Sequence, residues 1–169
     1  ITSAEATVDL TVHEVNDAPP AYGQTVSTDE DSPLDITRTG SDTEGSALTY
    51  AVVDQPTDGT LSGTAPNLNY TPDADYFGPD NFAFTANDGT VNSNEATVSI
   101  TVLSVNDVPV ADDQSVGTTE EVPLSVVLTG SDAEGDVLSY AIQSGPTNGT
   151  LSGTAPDLTY TPAADAIGV

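Results

Sequence analysis

The sequence predicts an all-β protein built from tandem Greek-key β-sandwich repeats of about 90 residues. Three observations carry that expectation. First, the chain copies itself. "EATVDLTV" at Glu5 returns as "EATVSITV" at Glu95, and "GTLSGTAP" at Gly59–Pro66 returns unchanged at Gly149–Pro156. The offset of 90 needs no gap, and 44 of the 79 positions it aligns are identical, so shared composition cannot be the cause. Second, short alternating apolar runs are separated by turn residues every 8–12 positions, the spacing of a sandwich. Third, Thr, Val, Ser, Gly, Pro and Asp dominate, aromatics are 5%, and no long helical pattern occurs.

One repeat reads as seven strands. Thr25–Thr28 is a first, edge strand. Leu34–Thr39 follows Pro33, a residue suited to a strand start. Leu48–Val53 alternates through Leu48, Tyr50 and Val52. In "PTDGTLSG" the Asp58–Gly59 pair turns the chain into a short fourth strand, and Asn148–Gly149 replaces it one repeat later. Both dipeptides tolerate the positive φ of tight turns. Leu68–Thr71 is the fifth strand. Asn81–Ala86 is the sixth, with Phe82 and Phe84 on one face. Glu95–Val102 is the seventh, with Ala96, Val98, Ile100 and Val102 inward. The organisation follows: residues 1–15 supply the last strand of a preceding repeat, 16–105 form a complete one, and 106–169 begin another that lacks its last two strands. The chain is therefore read as a window on a longer array.

The charge is extreme. There are 27 acidic residues against one base, Arg38, for a formal net charge of −26. Nucleic acid and anionic membrane would both be repelled, and no apolar run is long enough to insert into a bilayer. Something must offset the self-repulsion, and the acids sit where a cation could do so. In a Greek-key sandwich, the loops after strands two and six meet the incoming linker. Asp42 and Glu44 of "GSDTEG" and Asp88 of "NDG" then face Asn16 and Asp17 of "EVNDAPP". The opposite end carries Asp29, Glu30, Asp31 and Asp75, which face the outgoing linker with Asn106 and Asp107, beside Asp132 and Glu134 of the next repeat. Crowded carboxylates with no cysteine point to a hard cation bound by oxygen, and Ca2+ fits better than zinc. Pro19 and Pro109 stiffen the linkers.

The phrases "VNDAPPA" and "VNDVPVA", "TDEDSPL", "GSDTEGSALTY" and "GSDAEGDVLSY", "LNYTPDADYFG" and "FTANDGT" resemble the cadherin-like, Ig-like repeats of large bacterial surface adhesins, including the RTX type. The resemblance spans essentially the whole chain. It implies a calcium junction in which Glu30, Asn106, Asp107, Asp132 and Glu134 act together, with Asn16, Asp17, Asp42, Glu44 and Asp88 as the matching set one repeat earlier. The linker is poorer in Asp than the cadherin junction, and Glu44 and Glu134 stand where a second Asp is usual.

Catalysis finds little to work with. Cys and Lys are absent, and the single histidine, His13, is replaced by Leu103 one repeat on. A carboxylate pair for glycoside hydrolysis is disfavoured because similar acids recur in each copy. Tyr50, Tyr70, Tyr140 and Tyr160 keep the repeat period and read as core. The expected role is therefore structural: extender repeats of a secreted or cell-surface adhesin, made rigid by calcium, with neighbouring repeats as partners. The rivals are a sandwich that binds carbohydrate or protein, and a self-associating filament subunit in which Glu5–Val12 completes another copy's last repeat.

Overall fold

The structure is a computed structural model that describes residues 4, 5 and 7–165. It contains fourteen strands and no helix among the described residues. In order these are β1 (Ala21–Tyr22), β2 (Gln24–Asp29), β3 (Leu34–Thr37), β4 (Thr39–Gly40), β5 (Thr49–Asp54), β6 (Gly59–Thr64), β7 (Asn67–Pro72), β8 (Gly78–Asn87), β9 (Ala96–Leu103), β10 (Val110–Ala111), β11 (Leu124–Val127), β12 (Gly130–Ser131), β13 (Gly149–Thr154) and β14 (Asp157–Pro162). The chain divides into two compact units, the first ending at Ser104 and the second starting at Val105.

The first unit is a two-sheet sandwich. One sheet runs β2-β9-β8-β5 and the other β3-β7-β6, with β1 and β4 forming a small extra pair. Strand β2 lies parallel to β9, while the pairs β5–β8 and β8–β9 are antiparallel. All seven expected strands are present. Alternation explains their faces: β9 shows strict buried–exposed alternation, with Ala96, Val98, Ile100 and Val102 inward. These meet Phe82, Phe84 and Ala86 of β8 and Ile36, Leu68 and Tyr70 of the facing sheet in one core. Burying each large side chain contributes about 1.5–3 kcal/mol. Tyr50 packs at the edge, its ring centroid 6.1 Å from that of Phe84.

Arg38, the sole base, is buried rather than solvated. Its Nε donates to the Pro66 carbonyl at 3.4 Å, and its guanidinium lies 5.7 Å from the Tyr50 ring centroid. Desolvation lowers its pKa from the ordinary arginine value.

The second unit forms only part of this plan. It has the sheet β11-β14-β13 and the pair β10–β12. The registers repeat those of the first unit at an offset of 90: Leu124↔Tyr160 copies Leu34↔Tyr70, and Leu151↔Tyr160 copies Leu61↔Tyr70. Residues 114–119 and 139–142, aligned with β2 and β5, are not strands. In the first unit β2 pairs with β9 and β5 with β8. Among the described residues the second unit has no strand in the place of β8 or β9, so these two segments have no ladder to join.

The sequence reads Glu5–Val12 as the last strand of a preceding repeat. Its described residues form no strand, and Val8, Leu10 and Val12 are exposed. Alternation marks which face a strand would bury, but an extended segment without a paired neighbour leaves its backbone groups to water.

Candidate metal centre

The loop after β4 explains how the first unit presents its acids. Asp42 and Gly45 make a tight turn: Ser46 N donates to Asp42 Oδ1 at 2.6 Å, and Gly45 N to the Asp42 carbonyl at 3.3 Å. Gly45 sits at φ +82°, a conformation that favours glycine. One carboxylate oxygen of Asp42 thus closes the loop. The other, Oδ2, is buried with no hydrogen-bond partner. Glu44, two residues on, reaches the linker, and its Oε2 accepts from Asp17 N at 3.3 Å.

The β8–β9 loop adds Asp88. Its Oδ1 accepts from Thr90 N at 2.6 Å and Val91 N at 2.8 Å, while Oδ2 accepts from Asn16 Nδ2 at 2.9 Å. The Asn16 side chain, then the two backbone donors, hold this carboxyl below the usual aspartate pKa. The linker thus meets two loops of the first unit, Asn16 bonding Asp88 and Asp17 bonding Glu44, with Asp42 in the same loop as Glu44. The linker is fastened to the sandwich that follows it.

The second unit repeats the arrangement. Asp107 N donates to Glu134 Oε2 at 3.0 Å, and Asn106 Nδ2 bonds the Asp107 carbonyl at 2.8 Å, as Asn16 bonds that of Asp17 at 3.2 Å. Asp136 N donates to Asp132 Oδ1 at 2.9 Å, and Gly135 takes φ +77°. Glu134 Oε1 is buried without a hydrogen-bond partner. A cavity of about 310 Å3 is lined by Asn106, Asp107, Asp132 and Asp136 together with Val110, Leu138 and Tyr140. Asp136 has no acidic counterpart in the first unit, where Ser46 stands.

At the far end of the first unit, Asp75 N donates to Asp31 Oδ1 at 3.4 Å. Both residues adopt left-handed backbone, φ 56° and 55°, as do their counterparts Asp165 and Glu121. Glu30 is buried, its N bonded to the Leu103 carbonyl at 2.8 Å. Asp31 is exposed, yet it fixes the Asp75 loop.

Sequence reasoning missed Asp80. This carboxylate is only 5% exposed. It accepts from Thr57 N at 3.1 Å, Asp58 N at 3.2 Å, Asn81 N at 2.8 Å and the Tyr70 hydroxyl at 2.8 Å. The signal was present: Asp80 lies in phase with Phe82, Phe84 and Ala86, so period-two alternation turns it inward. Burial, followed by the bond to Asp80, raises the Tyr70 pKa well above the tyrosine range.

Oxygen donors at both ends of the first unit and at the start of the second suit a hard cation. Among known proteins, Integrin beta-like protein E of Dictyostelium discoideum is 38% identical over 88 residues, which is 52% of this chain and 4% of that protein. Integrin beta-like protein A of the same organism is 30% identical over 142 residues, 72% of this chain and 7% of that protein. The chain thus spans a small fraction of the length of the curated relatives it matches. In structure it is similar to the extracellular cadherin domains 1–5 of protocadherin gamma B2, with TM-score 0.51 and 19% identity over 90% of this chain and 34% of that one. A likeness at that identity is one of fold. Residues 16–101 and 106–169 each match the bacterial Ig domain family, and the chain belongs to that family.

Proposed function

We propose that these bacterial Ig domains are spacer repeats of an extracellular adhesion protein of the RTX-adhesin kind, stiffened by Ca2+ where each linker meets a sandwich. One observation carries the reading. The linker-to-sandwich clasp occurs twice at the same offset, as Asp17 N on Glu44 and Asp107 N on Glu134. In each clasp one glutamate oxygen is spent on the linker, and the loop aspartate (Asp42 or Asp132) spends one oxygen on its own turn. The remaining oxygens, including the buried Asp42 Oδ2 and Glu134 Oε1, suit a divalent ion better than solvent. The proposed ligands are Asn16, Asp17, Asp42, Glu44 and Asp88 in the first unit, and Asn106, Asp107, Asp132 and Glu134 in the second. Glu30 and Asp75 are further candidate oxygen ligands. The ion supplies positive charge that the chain lacks: without it the carboxylates repel and the linker bends, with it they draw together.

The integrin-beta-like names of two relatives and the cadherin-like fold favour an adhesive, extracellular setting. No helix among the described residues is long and apolar enough to cross a membrane.

Calorimetric titration tests the reading. Ca2+ binds, Mg2+ binds more weakly because it demands a tighter octahedron, and Asp107→Ala with Asp132→Ala removes the second-unit site. At a free Ca2+ of one hundred times Kd, the ion stabilises the fold by about 2.7 kcal/mol. A chain of several repeats gives a larger maximum dimension by small-angle scattering in Ca2+ than in chelator. An unchanged number of bound ions in the double variant, or an unchanged scattering profile, overturns the proposal.

A further inference from the structure

We propose that Asn148–Gly149 is a self-modification site, at which the fold promotes loss of the Asn148 amide through a succinimide. Asn148 is the one asparagine of this sequence that precedes glycine, and its side chain is exposed. The glycine is imposed by packing. A Cβ at Gly149 would collide with the Tyr160 ring and the Thr161 carbonyl, just as one at Gly59 would collide with Tyr70 and Thr71. A repeat with asparagine at this turn therefore carries Asn-Gly.

The nucleophile of this reaction is the Gly149 backbone nitrogen after it loses its proton. Charge then spreads onto the carbonyl oxygen of the same peptide, that of Asn148. Two donors already hold that oxygen: the Tyr160 hydroxyl at 2.7 Å and Ala163 N at 3.1 Å. They are placed to stabilise the developing negative charge, as an oxyanion hole does. The bond from Ala163 N also makes Gly149↔Pro162 a pair without mutual hydrogen bonds, so the Gly149 N–H points away from β14. Because β13 is the outer strand of its sheet, that N–H faces the open edge.

The step balances. A water or hydroxide takes the Gly149 proton, the nitrogen attacks Asn148 Cγ, and a C–N bond forms. The Cγ–Nδ2 bond breaks, and the amide nitrogen leaves as ammonia after gaining a proton. Water then opens the ring to aspartate or to isoaspartate. The aspartate product restores the pattern of the first unit, where Asp58 precedes Gly59 and its carbonyl accepts from Asp73 N at 2.9 Å. The isoaspartate product lengthens the backbone by one carbon and displaces the carbonyl that Tyr160 and Ala163 hold. One turn thus ages into either a repaired hairpin or a broken one.

The test incubates the 169-residue chain at mildly alkaline pH, with and without urea. Peptide mass spectrometry follows the amide-to-acid conversion, and isoaspartyl methyltransferase labels the abnormal product. Asn148 converts before any other asparagine, and faster in the folded chain than in urea. Tyr160→Phe removes one donor and slows conversion severalfold, while hydrogen exchange shows that the β13–β14 hairpin persists. If Asn148 is slower folded than unfolded, or if Tyr160→Phe with an intact hairpin converts at the parent rate, the proposal fails. Should Tyr160→Phe not fold, the comparison with urea decides.

Discussion

Asp80→Ala removes the acceptor at the centre of the first sandwich. Four donors lose their partner: Thr57 N, Asp58 N, Asn81 N and the Tyr70 hydroxyl. Orphaning a buried donor costs about 1–3 kcal/mol. Tyr70 is wholly buried, and its other acceptor, the Asp58 carbonyl, lies at a marginal 3.4 Å, so the phenol bears a full penalty. The loop amides of Thr57 and Asp58 gain partial access to water as the turn loosens, and together they cost about as much as the phenol. Removing the carboxylate also lifts its own desolvation cost, which offsets part of the loss. The net expectation is about 3 kcal/mol of destabilisation. For a unit of this size each kcal/mol moves the midpoint by about 4–8 °C, so melting falls by about 12–24 °C. Denaturant unfolding of the first unit, followed with hydrogen exchange at Thr57 and Asp58, reads the effect. The double variant Tyr70→Phe with Asp80→Ala separates the pair from the loop, because removing both partners costs less than the two single changes together. A loss under about 1 kcal/mol for Asp80→Ala alone would refute the view that this carboxylate anchors the turn.

Two pH effects follow. Tyr70 has a folded-state pKa above its unfolded value of about 10, so its contribution is complete below pH 10 and disappears as pH rises beyond it. Alkaline unfolding of the first unit should therefore shift toward neutrality less steeply in Tyr70→Phe; identical profiles would remove Tyr70 as the cause. Asp88 has a depressed folded-state pKa, so its support is present above the ordinary aspartate pKa and is lost as pH falls through the lower folded one. Carbon-detected NMR titration should place Asp88 below the ordinary aspartate value, and Asn16→Ala should raise it; an unmoved midpoint in Asn16→Ala would show that the linker clasp does not form in solution.

Much of the architecture is written along the chain. The repeat, the seven strands of the complete unit and their inward faces follow from local patterns, because a strand's side chains alternate with a period of two whatever lies beyond them. Gly45 and Gly135 signal their turns by type, and the excess of acids signals a need for positive charge. Tertiary structure decided the meetings. Asn16 reaches Asp88 across 72 residues, and Asp17 reaches Glu44 across 27. Periodicity says which face a residue occupies but not which distant loop it will touch. It turns Asp80 inward, in phase with Phe82, but only the tertiary structure brings Thr57, Asp58 and Tyr70 to donate to it.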